Sequence, residues 1–422
     1  SLTAQHPALH VFEREIAENF GIPFADSPWN KPLRYAHDRA DRQKTMNDYP
    51  FYSIEGEALH EVNVGPIHAG IIEPGCFRFI CNGEQVVHLE IMLGYQHRGV
   101  ERLLRETDNR LRQAVLCESI AGDTAVAHAS AYALLGEALG GRPVPETLAL
   151  ERAVALELER IAVHIADTGA LCMDIGYQLG QVACEALRTI VINTTQAWCG
   201  NRFGKGLIRP GGTYYPLTGG LFDTVLKNMD EVQRRFAEVA VDLQDSASVL
   251  SRFEDCGVLS RPQAVRIGAV GQVARASGLL RDLRTTHPWG PYGELIDHEP
   301  VTASGGDVFS RLRVRLGEVA QSIGYVKTLI ARLEDVAETS PRPDYALAFA
   351  PSSLAFALQE GWRGEIVHVG LTDERGRLCA YKVKDPSLHN WLGLALAVRG
   401  EGISDFPICN KSFNLSYCGH DL

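Results

Sequence analysis

The chain has 422 residues, with 41 Lys and Arg against 52 Asp and Glu, a formal charge of −11. Its 45% hydrophobic and 22% charged content excludes a disordered or collagen-like chain. The acidic balance argues against nucleic acid as the main partner, because phosphates need a basic surface.

Residues 1–60 differ from the rest. An amphipathic stretch, Phe12 to Phe20, is followed by Gly21 and Pro23, as helix ends are. The polar, proline-containing segment after it is too short to fold alone and reads as an arm or a truncated domain tail. Residues 62–95 alternate apolar and polar side chains in EVNVGPIHAGI, CFRFICNG and QVVHLEIML, which predicts strands with a hairpin turn at Asn82-Gly83. Helical patterns then fill 97–112, 120–139, 146–173, 177–198, 219–250, 262–281 and 304–337, punctuated by glycine pairs. Near the end, EIVHVGL and LCAYKVK flank Asp373–Gly376 as a second hairpin. The fold class is mainly α with small β elements, a helical bundle.

The ten cysteines form no CxxC pair, which excludes a zinc ribbon or a thioredoxin motif. A chain this long needs no disulfide staples, so reduced thiols and a cytosolic compartment are expected. No apolar run reaches the ~18 residues of a membrane span. The start has no signal-peptide shape, so membrane attachment is expected only through partners.

The helix over 146–173 carries the strongest chemical signal. Glu157, Arg160, His164, Asp167 and Asp174 recur at spacings of three, four, three and seven, which places them along one face. The remaining faces are largely apolar, as in a buried helix. A buried row of ionisable groups is either a proton relay or polar cavity wall, or a structural ion-pair ladder to neighbouring helices. The residue types leave both open. His97 and Glu101 share a face one turn apart at a strand-to-helix junction, where a simple charge pair is the plainer reading.

Several long motifs, in order, resemble one family. VNVGPIHAGI, LGYQHRGVERLL, ELERIAVHIADTGALCMDIG, NRFGKGLIRPGG, GWRGEIVHV and KVKDPSLHNW resemble the large subunit of [NiFe] hydrogenases. Within it they resemble the membrane-bound, energy-converting group that is homologous to the 49 kDa quinone-site subunit of complex I. The resemblance spans 61–422 and implies a hydrogenase large-subunit-like domain there. Residues 1–60 resemble the tail of the complex I 30 kDa subunit.

The resemblance places the family's four metal-ligating cysteines at Ala121, Thr124, Ser416 and Gly419. None of these residues is a thiol, and thiolates are what low-spin iron and nickel require. Cys117 and Cys418 are out of register. The expectation is therefore no metal on this chain. The quinone-binding histidine of complex I would fall near Ile71 or Ile72 and the tyrosine at Gly122, so that clamp is also missing. Arg363 matches the family arginine over the metal site, Glu101 the family glutamate, and Asp174 the aspartate behind the quinone histidine. With His128, Glu101 and Arg363 are the candidate catalytic residues. Asp123, Thr124, His128, Asn414, Ser416 and His420 are expected to converge on one cavity, which either binds a small polar molecule or passes protons, or is a relic filled by side chains and water.

The resemblance implies a subunit of a membrane-associated, complex I-like or hydrogenase-like oxidoreductase assembly, without its own Ni–Fe centre, coupling redox or proton movement to membrane partners. The alternatives are a quinone-reducing subunit with a modified site and a structural scaffold. Quinone is the one cofactor left open on this chain, with iron–sulfur clusters on a partner. The implied partners are an iron–sulfur small subunit and antiporter-like membrane subunits, with no nucleic acid and no span of its own. The implied location is the cytoplasmic face of the membrane, reached through those partners.

Overall fold

The computed structural model describes residues 1–68 and 72–422. Helix α1 (His10–Phe20) ends at Gly21, whose φ of 66° closes the last turn. Strands β1 (Leu59–Val64), β2 (Cys76–Asn82) and β3 (Gln85–Met92) form an antiparallel sheet in that order. Asn82 pairs with Gln85, so the tight turn is Gly83-Glu84, one residue beyond the expected Asn82-Gly83.

The stretch expected as one helix over 97–112 is two, α2 (Val100–Arg105) and α3 (Arg110–Glu118). Asn109 explains the break: its side-chain oxygen accepts from Arg112 N–H at 3.0 Å and starts the second helix. Helices α4 (Ala125–Leu139), α5 (Glu146–Asp174), α6 (Gln178–Cys199) and α7 (Gly220–Asp245) follow the sequence pattern. Residues 246–286 hold four short helices, α8 (Ala247–Phe253), α9 (Arg261–Ile267), α10 (Gly271–Ala276) and α11 (Leu283–Thr286). The expected 262–281 helix is thus split, at Gly268 with φ 69°. Helix α12 (Val308–Asp335) is again continuous.

A second antiparallel sheet is β4 (Leu354–Gly361), β5 (Gly364–Thr372) and β6 (Leu378–Lys384). Strand β4 was not expected, because LAFALQEG is rich in helix formers; pairing with β5 overrides that propensity. The chain ends in α13 (Ser387–Ala397), α14 (Phe406–Phe413) and α15 (Tyr417–Asp421).

Helix α5 is the centre. It packs between α6 and α12, while α14 lies on both α5 and α12 and the second sheet covers α4. Ile408, Phe413 and Leu415 are buried as their apolar character requires, and Phe406 packs on Phe77 and Phe79. The segment 405–422 is therefore threaded into the body. Its Asp421 carboxylate accepts from Gly94 and Gln96 N–H, each at 2.9 Å. Among the described residues, no helix is long and apolar enough to cross a membrane.

The arm is ordered by its own contacts and by two anchors on the body. Glu15 of α1 pairs with Arg34 at 3.0 Å and with Lys382 of β6. Glu18 collects the N–H groups of Leu33, Arg34 and Ala36. Val11 and Leu33 pack against Leu388 of α13.

One close approach fixes the turn between β4 and β5. Gly271 (φ 63°) and Gly364 (φ 133°) put their backbones in contact: a Cβ on Gly271 would stand 1.9 Å from the Arg363 carbonyl oxygen. Only glycine tolerates that geometry. Gly271→Ala should cost about 2–4 kcal/mol, the range for overpacking plus a forced positive φ, read as a lowered urea midpoint with an unchanged slope.

Candidate functional site

Three distant segments meet at Arg363. The turn between β4 and β5 presents Arg363, which is 4% exposed. Its Nη1 and Nη2 grip Asp123 at 2.6 and 2.7 Å, and Nη1 also reaches Thr124 Oγ1 at 3.0 Å. Its Nε donates to the Asn414 carbonyl at 2.6 Å. Two parallel N–H···O bonds to one carboxylate are the strong form of this pair. Trp362 stacks under the guanidinium, 4.0 Å from its ring centre, and its indole N–H donates to the Asp123 carbonyl at 2.9 Å.

Asn414 links this clamp to α5: its amide donates to Asp167 at 2.6 Å, and Asp167 pairs with Arg315 of α12 at 3.0 Å. Asp123, whose side chain is 40% exposed, forms the rim of a cleft of about 150 Å³ shared with Glu159, Asp167, Arg188 and Asn414. Glu159 is the group that the sequence reading missed. It lies one helix face away from the expected stripe and accepts from Val126 and Ala127 N–H at 2.7 and 3.2 Å. Burial raises its carboxyl to about 8, with the Asp123 charge adding and the two N–H groups opposing. Its position on the N-terminus of α4 could not be read from spacing within α5.

The stripe is a buried network. Glu157 accepts from Ser322 at 2.5 Å, from Tyr292, and from Arg160 and Arg284 at 3.2 and 3.4 Å. Burial pushes its carboxyl up, but these cations and hydroxyls outweigh that and hold it at about 2. Arg160 also donates to the Gly361 and Glu360 carbonyls at 3.0 and 2.9 Å. His164 meets Glu318 at 2.8 Å; burial lowers its imidazole to about 4 despite that carboxylate. Glu318 in turn pairs with Arg275 of α10 at 2.7 Å. Arg160, whose guanidinium does not release its proton, lies between Glu157 at 3.2 Å and Glu318 at 3.6 Å, the partner of His164.

Two expected members lie elsewhere. Asp174 is exposed at the last turn of α5, where the helix reaches solvent, so the buried stripe ends at Asp167. Glu101 does not join the Arg363 cluster. It accepts from Val383 N–H at 2.9 Å and pairs with Lys382 at 3.0 Å, tying α2 to β6.

His128 is fully buried, with Nε2 3.1 Å from Asp385 and Nδ1 3.1 Å from His368. Asp385 borders the C-terminal segment: a Cβ on Gly419 would stand 2.5 Å from its Cγ. Ser416 Oγ caps α15 by accepting from Gly419 N–H at 2.9 Å. His420 turns away to Asp421 at 2.7 Å. Ala121 and Thr124 are buried beside the Arg363 clamp. Cys418 Sγ bonds Glu73 at 3.0 Å. Ile72 is exposed, and Ile71 lies outside the described residues. A Cβ on Gly122 would meet nothing within 4 Å.

Comparisons with known proteins give the family and the fold. The chain is 30% identical over 359 residues to the carbon monoxide-induced hydrogenase of Rhodospirillum rubrum, covering 85% of this chain and 98% of that protein. The chain belongs to the family of membrane-bound hydrogenase large subunits and complex I 49 kDa subunits. Residues 174–351 match the family described as the 49 Kd subunit of respiratory-chain NADH dehydrogenase. Formate hydrogenlyase subunit 5 of Escherichia coli K12 is 27% identical over 99% of this chain and 76% of its own length. In fold, a chain of the membrane-bound sulfane sulfur reductase, an archaeal respiratory membrane complex, superposes with a TM-score of 0.80. That match has 22% identity and covers 88% of this chain and all of that one.

The raised Glu159 carboxyl has a thermodynamic signature. Its folded value of about 8 lies above the usual 4.5, so the native state holds the extra proton and loses stability as pH rises between those values. Glu159→Gln should remove that decline. Relative to wild type, the variant should gain at least ~1 kcal/mol on going from pH 5 to pH 8, on the scale of one pKa unit per 1.4 kcal/mol, in urea titrations at the two pH values.

Proposed function

We propose that this chain is the large subunit of a membrane-associated, hydrogenase-like or complex I-like oxidoreductase assembly, that it carries no Ni–Fe centre, and that it couples proton movement to its partners through the Arg363 cleft. The observation that carries the reading is the linkage Asp123–Arg363–Asn414–Asp167 around a cleft in which burial raises the Glu159 carboxyl to about 8. A carboxyl with a pKa near the working pH takes up and releases a proton at little cost. The neighbouring Asp123 carboxylate raises that proton affinity.

The donor chemistry supports the metal-free part. Ala121, Thr124, Ser416 and Gly419 bring no sulfur. Thr124 and Ser416 hydroxyls are already engaged, and Asp385 fills the space a side chain at 419 would need. These residues do not fit a thiolate-held metal. The partners are an iron–sulfur small subunit, which brings the electrons, and antiporter-like membrane subunits, which hold this chain at the cytoplasmic face of the membrane. A quinone-reducing subunit with a modified site is the second reading, favoured by the open space at Gly122.

Elemental analysis and infrared spectroscopy of the purified assembly should find no nickel and no iron-bound CO or cyanide on this chain; stoichiometric nickel refutes the metal-free part. A co-purifying quinone that Gly122→Trp expels would establish the second reading in its place. Glu159→Gln in the intact assembly should lower ion-coupled turnover by ~10-fold or more, the low end of general acid–base contributions, and flatten its pH dependence around 8, with subunit composition unchanged. Unaltered coupling would leave the cleft a structural ion-pair site.

A further inference from the structure

Two cysteines far apart in the sequence, Cys256 and Cys409, meet with their sulfurs 3.7 Å apart. Among the described residues no other two thiols are in hydrogen-bond contact. Cys409 lies on α14 and is fully buried, while Cys256, in the link from α8 to α9, keeps 8% of its surface. The main chain fixes Cys256 from both sides. Asp255 N–H donates to Asp307 at 3.0 Å, Gly257 N–H donates to Glu401 at 2.9 Å, and the Cys256 carbonyl accepts from Val308 N–H at 2.9 Å. Its neighbours Asp255 and Gly257 have φ of 57° and 63°, so Cys256 sits on a tight bend between two left-handed residues.

Two packed thiols can serve simply as small apolar side chains. The cation beside this pair argues for more. Arg311 is buried, and its donors go to the Gly257 and Gly306 carbonyls and to Ser412 Oγ, with no carboxylate among the described residues taking any of them. A Cβ on Gly257 would stand 2.6 Å from Cys409 Sγ and 3.2 Å from Arg311 Nη2, so thiol and guanidinium border one point. A nearby cation favours the thiolate, which is the reactive form. The two thiols are not equivalent. The hydrogen bond from Cys409 draws Cys256 below the ordinary thiol range, against burial and the Glu401 and Asp405 charges. The same bond, with burial, pushes Cys409 up. The more exposed sulfur is thus also the more acidic one, with a second thiol in contact behind it.

We propose that Cys256 and Cys409 are an oxidation site, closed to a disulfide by a peroxide and reopened by a small thiol. The Cys256 sulfur attacks one peroxide oxygen: an S–O bond forms, the O–O bond breaks, and the leaving hydroxide takes the Cys256 proton as water. The Cys409 sulfur then attacks the Cys256 sulfenic acid: the S–S bond forms, the S–O bond breaks, and the second hydroxide leaves with the Cys409 proton as water. Two electrons pass from the sulfurs to the peroxide. Two equivalents of a small thiol reverse the step by successive exchange, ending as their own disulfide with both protein thiols restored. The bond fastens α14 to the link from α8 to α9. Helix α14 runs straight into Asn414, whose carbonyl accepts from Arg363, so oxidation pins the chain that leads into the clamp. The site needs none of the proton coupling proposed above and stands or falls without it.

The test uses the full chain, reduced, desalted and treated while folded with a small excess of hydrogen peroxide. It is then unfolded, alkylated and mapped as peptides without reductant. The expected product is a linked Cys256–Cys409 peptide that dithiothreitol cleaves, together with an upward shift in the urea midpoint of the oxidised chain. Cys409→Ala removes the second thiol, so dimedone, which traps sulfenic acids, should label Cys256 in that variant and not in the wild type. Cys379 is the exposed thiol and gauges the peroxide dose. Oxidised Cys379 with Cys256 and Cys409 still free overturns the site. So does a link that forms only in urea, and so does dimedone on wild-type Cys256 with no link formed. Should Cys409→Ala not fold, the wild-type peptide map decides alone.

Discussion

The bidentate contact of Arg363 with Asp123 holds the site in one piece. A buried guanidinium is costly unless each of its donors finds an acceptor, and Arg363, on its own hairpin turn, finds them on two other segments: the approach to α4 and the link between α14 and α15. The turn that carries it is set by two glycines whose backbones touch. The cation therefore sits where the main chain puts it, and the carboxylates around it are ordered by its charge. Asp167, Asp123 and Asp385 all sense that charge.

Behind the clamp, the interior contains more ions than a hydrophobic core usually tolerates. Arg152, Arg160, Arg275, Arg311 and Arg315 are all fully buried. Each is answered: Arg275 by Glu318, Asp282 and Glu360, Arg315 by Asp167, Arg152 by Glu137, and Arg160 by Glu157 and by carbonyls. Arg311, without a carboxylate, is met by the Gly257 and Gly306 carbonyls and by Phe413 beneath it. Paired burial of this kind adds little net stability over an apolar core but penalises any packing that separates the partners. It fixes the register of α5, α10 and α12.

Much of this was legible from residues. The long helices followed from apolar periodicity, and the face bearing Glu157, Arg160, His164 and Asp167 followed from spacing alone. The errors have physical causes. Periodicity within α5 says nothing about which N–H groups arrive from α4, so Glu159 was passed over. The partners of His128 lie some 240 and 257 residues away, beyond any local pattern. Asp174 fits the spacing of the stripe, but the helix ends there and spacing does not report where solvent begins. Strand β4 is written in helix-forming residues and exists because β5 pairs with it.

The abutting backbones of Gly271 and Gly364 also join two parts of the molecule without a side chain between them. Gly271 opens α10, and the same short helix carries Arg275, the hub of Glu318, Asp282 and Glu360. The main chain that presents Arg363 at the cleft is thus seated directly on the helix that anchors the ion pairs of α12, and the spacing between the two buried charge clusters is set by backbone rather than by rotamers.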